Sequence, residues 1–203
     1  NMITLFNDIV SNTNTIVSSL NDIREKLSNA LKIVSDETNK VGISAQILSI
    51  DNANTSFNTG VSLALGVIEY YTGINDKDYP ATKKDITVTP KEVNDNYDVT
   101  HISNYYTYLE KAKTAYNNAV LYYTEELSSI IENSVTNKMD ELEKTLNTTL
   151  SQTIADMTAD DVLTPAELTT LELIKNSIDA DYLDICNKIT VLKELFLNFV
   201  TKH

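Results

Sequence analysis

Apolar residues in this chain recur in steps of three and four over stretches far longer than a strand can use, and this restricts the fold to long helices. The pattern is clearest at the two ends. In segment 2–39 one phase collects Ile3, Phe6, Val10, Thr13, Val17, Leu20, Arg24, Leu27, Leu31 and Val34, widened by Ile9, Ile16, Ile23 and Ala30. Near the C-terminus a second seam runs Leu168, Leu171, Lys175, Ile178, Tyr182, Ile185, Ile189, Leu192, Phe196 and Phe199. Turn-forming residues are scarce: 203 residues include four Gly and three Pro. Many short strands would need more of both. The expected class is all-α: an elongated bundle of long helices with the character of a coiled-coil oligomer.

A short phrase occurs twice, as Val88-Thr89-Pro90-Lys91-Glu92-Val93 and as Leu163-Thr164-Pro165-Ala166-Glu167-Leu168. Each is a helix-starting device. Thr89 or Thr164 accepts an unpaired backbone N–H as N-cap, and Pro90 or Pro165 takes the first position, where a missing N–H costs nothing. Glu92 or Glu167 closes a capping box, and Val88/Val93 or Leu163/Leu168 fits a hydrophobic staple. Helices are therefore expected to open at 90 and at 165.

Between the ends, Gly42 is expected to break the first helix, and a second helix covers roughly 55–72 and stops at Gly73. Residues 74–87 read as a connector. A Tyr-rich helix then carries Tyr105, Tyr108, Ala112, Tyr116, Ala119 and Tyr123. It runs on through Ile131, Val135, Met139, Leu142, Leu146, Leu150, Ile154 and Met157 as a narrow seam that wants a partner helix. Tyrosines at this spacing can form a sugar-binding strip, but core rings with hydroxyls at the rim are the better reading. The organisation expected is an N-terminal helical segment 1–75, a first Thr-Pro-capped module 76–158, and a second capped helix 159–203. The chain opens Asn1-Met2 and ends inside a helical pattern, which reads as a piece of something longer.

Charge narrows the partners. A net charge of −13 disfavours nucleic acid and anionic membrane surfaces. The most apolar window, Val61 to Tyr71, is about half the ~20 residues a membrane span needs. Cys186 is the sole cysteine, leaving no internal disulfide and no Cys-based zinc site; a half-buried thiol is expected. His101 lies near Asp98 and Thr100 without a positioned nucleophile, and Glu125/Glu126 and Asp140/Glu141/Glu143 read as solvated helix faces. No enzyme is expected, and no cofactor. The one metal candidate is calcium at 156–167, where Asp156, Thr158, Asp160, Thr164 and Glu167 fall on loop positions 1, 3, 5, 9 and 12. The sixth position, Asp161, stands where Gly is the norm.

The phrase Asp160-Asp161-Val162-Leu163-Thr164-Pro165-Ala166-Glu167, preceded by Ile154-Ala155-Asp156, resembles helical repeat modules in tail, baseplate and fibre proteins of bacteriophages infecting Gram-positive bacteria. Asp161 takes the place of an Asn, Leu168 that of a Lys, and the Trp found shortly afterwards in those modules is absent here. The resemblance implies a structural spacer of the virion that carries no catalytic residue. The narrow seam at 131–157 and the long first helix point to self-association, for which the resemblance implies a trimer and contacts with other tail proteins. The rival reading is a secreted helical toxin or surface adhesin whose concealed apolar segment, Val61–Ile68, later enters a membrane.

Overall fold

The computed structural model describes residues 2–82, 91–160 and 162–202, with side chains described up to Leu195. Among the described residues six α-helices run in order: α1 (Met2–Ile33), α2 (Glu37–Thr72), α3 (Thr100–Leu121), α4 (Ser128–Lys144), α5 (Ser151–Thr158) and α6 (Pro165–Lys202). The same residues contain no strand, so the chain is all-α. Two π-helical turns, Tyr122–Leu127 and Thr145–Leu150, join α3 to α4 and α4 to α5. Helical backbone is thus continuous from Thr100 to Thr158.

Two expected helix starts are corrected. The first break falls at Val34–Asp36, and Gly42 lies inside α2. Asp36 is the reason: its Oδ1 accepts the Asn39 N–H at 2.9 Å while its carbonyl accepts the Lys40 N–H at 3.0 Å. That is an N-cap, and a helical Gly costs only about 1 kcal/mol beside it. The helix expected at 90 is absent in its described part, since residues 91–94 are irregular. Val88, Thr89 and Pro90 lie outside the described residues. The helix begins instead at Thr100, whose N–H donates to Asp98 Oδ1 at 2.8 Å. This bond holds the Asp98 carboxyl below the ordinary aspartate value. By contrast α2 stops at Gly73 as expected, where φ is +76°, the left-handed region open to glycine.

The chain divides into two compact, interleaved units: 1–29 with 41–121, and 30–40 with 122–203. In the first, Arg24 on α1 forks onto Asp51 on α2 with bonds of 2.6 and 3.2 Å. The Phe57 ring on α2 meets Tyr105 on α3 at 5.9 Å. Gly60 gives Tyr108 room, because a Cβ there would come within 2.5 Å of the ring. The segment after α2 is tied back onto α1. Asn7 donates to the Ala81 carbonyl at 3.0 Å and accepts its N–H at 2.8 Å, and Phe6 meets Tyr79 edge to face. Tyr79-Pro80 is a cis peptide.

In the second unit α4 packs along α6. Lys138 stands 3.6 Å from Asp181, while Ile131 and Lys188 line one cavity, so the two helices run antiparallel.

Burial keeps the expected stripe of α1 and corrects the seam of α6. In α1 and the break after it Phe6, Ile9, Leu20, Ile23, Leu27, Ala30 and Val34 are buried, with Ile3, Val10, Thr13, Ile16, Val17 and Leu31 half-buried. The expected stripe, widened by Ile9, Ile16, Ile23 and Ala30, stands along α1, and Arg24 is its one exposed member. In α6 the line Leu171, Ile178, Ile185, Leu192 stands, joined by Ile174, Asp181, Lys188 and Leu195. Leu168, Lys175, Tyr182 and Ile189 are exposed. Along 131–157 the inward positions are Ile131, Val135, Lys138, Leu142 and Thr145, then Leu150, Thr153 and Met157. Met139, Leu146 and Ile154, expected in the seam, face solvent.

The π turn at 145–150 explains the step of five between Thr145 and Leu150. One extra residue in the turn rotates the downstream helix by about 100° relative to an uninterrupted α-helix. Without it Thr149, Gln152 and Asp156 would turn inward.

Candidate functional site

The second Thr-Pro phrase forms a reciprocal cap at the start of α6. Thr164 N–H donates to Glu167 Oε2 at 2.8 Å, and Glu167 N–H donates to Thr164 Oγ1 at 3.2 Å. Pro165 is the first helical residue. Leu163 and Leu168 both remain largely exposed. In the first phrase, Glu92 offers its carbonyl to the Tyr70 hydroxyl at 3.0 Å, and Lys91 Nζ sits 5.0 Å over the Tyr70 ring. Tyr70 also stacks on Tyr97 at 4.3 Å.

The calcium candidates make local hydrogen bonds. Asp156 Oδ1 accepts from the Gln152 side chain at 2.9 Å, and Asp160 Oδ1 accepts the Val162 N–H at 3.1 Å. Glu167 is committed to the cap. Asp161 lies outside the described residues. Among the described residues, no three of His, Cys, Asp and Glu converge as ligands.

The tyrosine stripe is divided. Tyr105 and Tyr123 are buried, and burial pushes the Tyr105 phenol above its ordinary pKa, with Asn12 acting the other way. Tyr108 lies against Gly60, while Tyr106 is exposed. This is ring packing within the helical core rather than an open stacking strip.

A cavity of about 500 Å³ opens in the second unit between the 34–39 segment and the α4–α6 pair. Ser35, Asn39, Ser134 and Asn137 give it hydroxyls and amides, and Lys138, Glu141 and Lys188 give it charge. Lys188 is 1 % exposed and donates to Asp184 Oδ2 at 2.8 Å. Lys138 donates to Glu141 Oε2 at 3.2 Å, and that bond first, then the charges of Glu141, Asp181 and Asp184, raises its pKa. Each cation therefore has a carboxylate beside it, and the inward face of α6 carries an ionic step between apolar layers. Sequence reasoning passes over Lys188 and Asp181 because Tyr182 and Ile189, one residue on, are the more apolar choice. The available signal is that both candidate lines flank the same four apolar residues.

Those rejected residues form the other notable surface. On the α4–α5 helix, Met139 and Leu146 each come one residue after a seam position, as do Tyr182 and Ile189 on α6. The two-fold axis that relates antiparallel helices stands perpendicular to the plane of the pair. It carries a position on one side of α4 to the same side of α6. All four therefore lie on one side, continued by Ile154 and Leu168. The corresponding positions on the opposite side are Ser134, Glu141, Thr170, Ser177, Asp184 and Val191, and there the 34–39 segment closes over α4.

Comparison with protein-family models, with curated proteins and with solved structures finds no match to this chain.

Proposed function

We propose that this chain is a non-catalytic helical scaffold of a bacteriophage tail, baseplate or tail fibre, in which long capped helices form an elongated spacer between functional modules. The observation that carries the reading is the joint at 156–167, where the residues that resemble phage tail modules form a reciprocal Thr164/Glu167 cap between two long helices. A cap of this kind fixes where one helix stops and the next starts, which is what a spacer of defined length requires. The ionisable clusters fit the same role: their carboxylates cap helices or pair with lysines along helix faces. Assembly would be homo-oligomeric, with three copies the number the resemblance implies, and would place the chain in the virion beside other tail proteins.

The test is mass spectrometry of purified phage particles from the bacterium whose genome encodes the chain. Its peptides should co-purify with tails in stoichiometric amount. Peptides confined to the culture supernatant would overturn the reading.

The rival, a secreted toxin with a concealed membrane-entering segment, has the burial of Val61, Ala64, Val67 and Ile68 in its favour. Leu63 in the middle of that segment is exposed, as on any one-sided scaffold helix. No helix among the described residues is long and apolar enough to cross a membrane. Liposome leakage by the purified chain would favour this rival.

A further inference from the structure

We infer that the exposed side of the α4–α6 pair formed by Met139, Leu146, Ile154, Leu168, Tyr182 and Ile189 is a self-association surface, closed by the same face of a second copy of this chain. The inference takes its biological meaning from the scaffold reading, but its physics stands on the face alone.

The first ground is one-sidedness. The two sides of the pair are equivalent by helical geometry, yet one carries six large apolar residues beside Glu132 and Lys175, and the other mainly hydroxyls and carboxylates. On the polar side the 34–39 segment lies over part of α4, across the cavity. The apolar side is 40–65 % exposed at each of the six residues. A two-helix layer that is apolar on one side needs another helical layer on it.

The second ground is size. Side chains of these types at that exposure present roughly 600 Å² per copy, so two copies remove about 1,200 Å² from water, the lower edge of stable interfaces. A single helix from elsewhere would cover only part of that width. Two antiparallel pairs laid face to face match it and make a four-helix bundle.

The third ground is charge, which acts against association and so gives it a signature. Glu132 and Lys175 stand one residue after seam positions on this same side, and Glu143, Glu172 and Asp179 border it, with Lys175 already engaged by Asp179 at 3.0 Å. Facing copies bring acidic rims together, and the chain carries −13 overall. Salt screens exposed charges within about 10 Å at 0.1 M and leaves apolar contact in place. Association should therefore tighten as salt rises, opposite to an interface held by ion pairs.

Sedimentation equilibrium on the full chain tests this with three proteins: wild type, Met139→Lys/Tyr182→Lys, and Leu173→Lys as an exposed control off the face. Wild type should sediment at twice 22.7 kDa, more completely as salt rises between about 50 and 500 mM. The double variant should sediment as a monomer with unchanged helical circular dichroism, and the control should behave as wild type. Should the double variant lose helicity, Leu146→Lys/Ile189→Lys on the same face serves in its place. A trimer lost with the same substitutions would overturn the face-to-face closure, because same-face contact between copies is two-fold symmetric. Wild type at 22.7 kDa under all conditions, or an oligomer loosened by salt, overturns the inference. An oligomer that survives the substitutions also overturns it but leaves the scaffold reading standing. A face-dependent oligomer that is absent from phage particles would do the reverse.

Discussion

At the scale of single residues, two glycines of α2 separate packing from propensity. Gly66 has nothing within 4 Å of where a Cβ would stand, whereas Gly60 has the Tyr108 ring at 2.5 Å. Gly66→Ala should stabilise the chain by about 0.5–1 kcal/mol through helix propensity. Gly60→Ala gains the same propensity but must displace a ring, at ~1–3 kcal/mol for overpacking, and should come out destabilising. Urea denaturation of both variants checks the pair by sign alone. Lys188 offers a second contrast. It is buried, while its partner Asp184 is a third exposed. Lys188→Met fills the same volume and leaves a carboxylate that water can reach, so stability should change by less than ~1 kcal/mol. Asp184→Ala strands a buried ammonium and should cost about 3 kcal/mol. Equal losses in the two variants would contradict this reading of the ionic step.

At the scale of elements, the π turns show how much is legible from residues alone and where legibility ends. Helix identity is readable, because three- and four-residue steps across a long stretch of chain admit little else. The Thr164-Pro165-Ala166-Glu167 start is readable because its chemistry is local. The break at 34–36 escapes notice although Asp36 is an ordinary N-cap, because Gly42 draws attention to the wrong place. The seams are half readable. In α6 two lines compete to flank a shared apolar line, and counting apolar residues cannot decide when the winner holds Asp181 and Lys188. The rotation at 145–150 leaves no mark in composition, since it depends on which residues after the turn must face inward. That gives a sharp expectation. Deleting exposed Asn147 should convert the π turn to α-helix, bring Leu150, Thr153 and Met157 to the same side, and keep or raise the thermal midpoint. Deleting equally exposed Thr136 from α4 should rotate Ile131 and Val135 away from the seam beyond them, at a cost of about 3 kcal/mol or more.

At the scale of the whole molecule, the candidate site is legible in the sequence only as an unassigned need. A seam through Met139, Leu146 and Ile154 wants a partner helix. The structure exposes those residues and sets them beside Leu168, Tyr182 and Ile189 on one side of an antiparallel pair. Sequence therefore picks out the stripe but assigns it to the wrong layer. Ile131, Val135, Leu142, Leu150 and Met157 of the expected seam do face inward, and only Met139, Leu146 and Ile154 face outward. A chain of net charge −13 with such a face has two tendencies in conflict, mutual repulsion at long range and apolar closure at short range. On the self-association proposal, closure wins once copies meet. Met139 reports on this directly, because a thioether oxidises in proportion to its exposure, and buried Met157 serves as an internal reference. The decisive measurement is the oxidation rate of Met139 under a fixed low dose of peroxide across a wide range of protein concentration, read by peptide mass. Met139 should oxidise readily in dilute protein and become protected toward the level of Met157 as concentration rises. A Met139 rate that stays the same at every concentration would contradict the proposal.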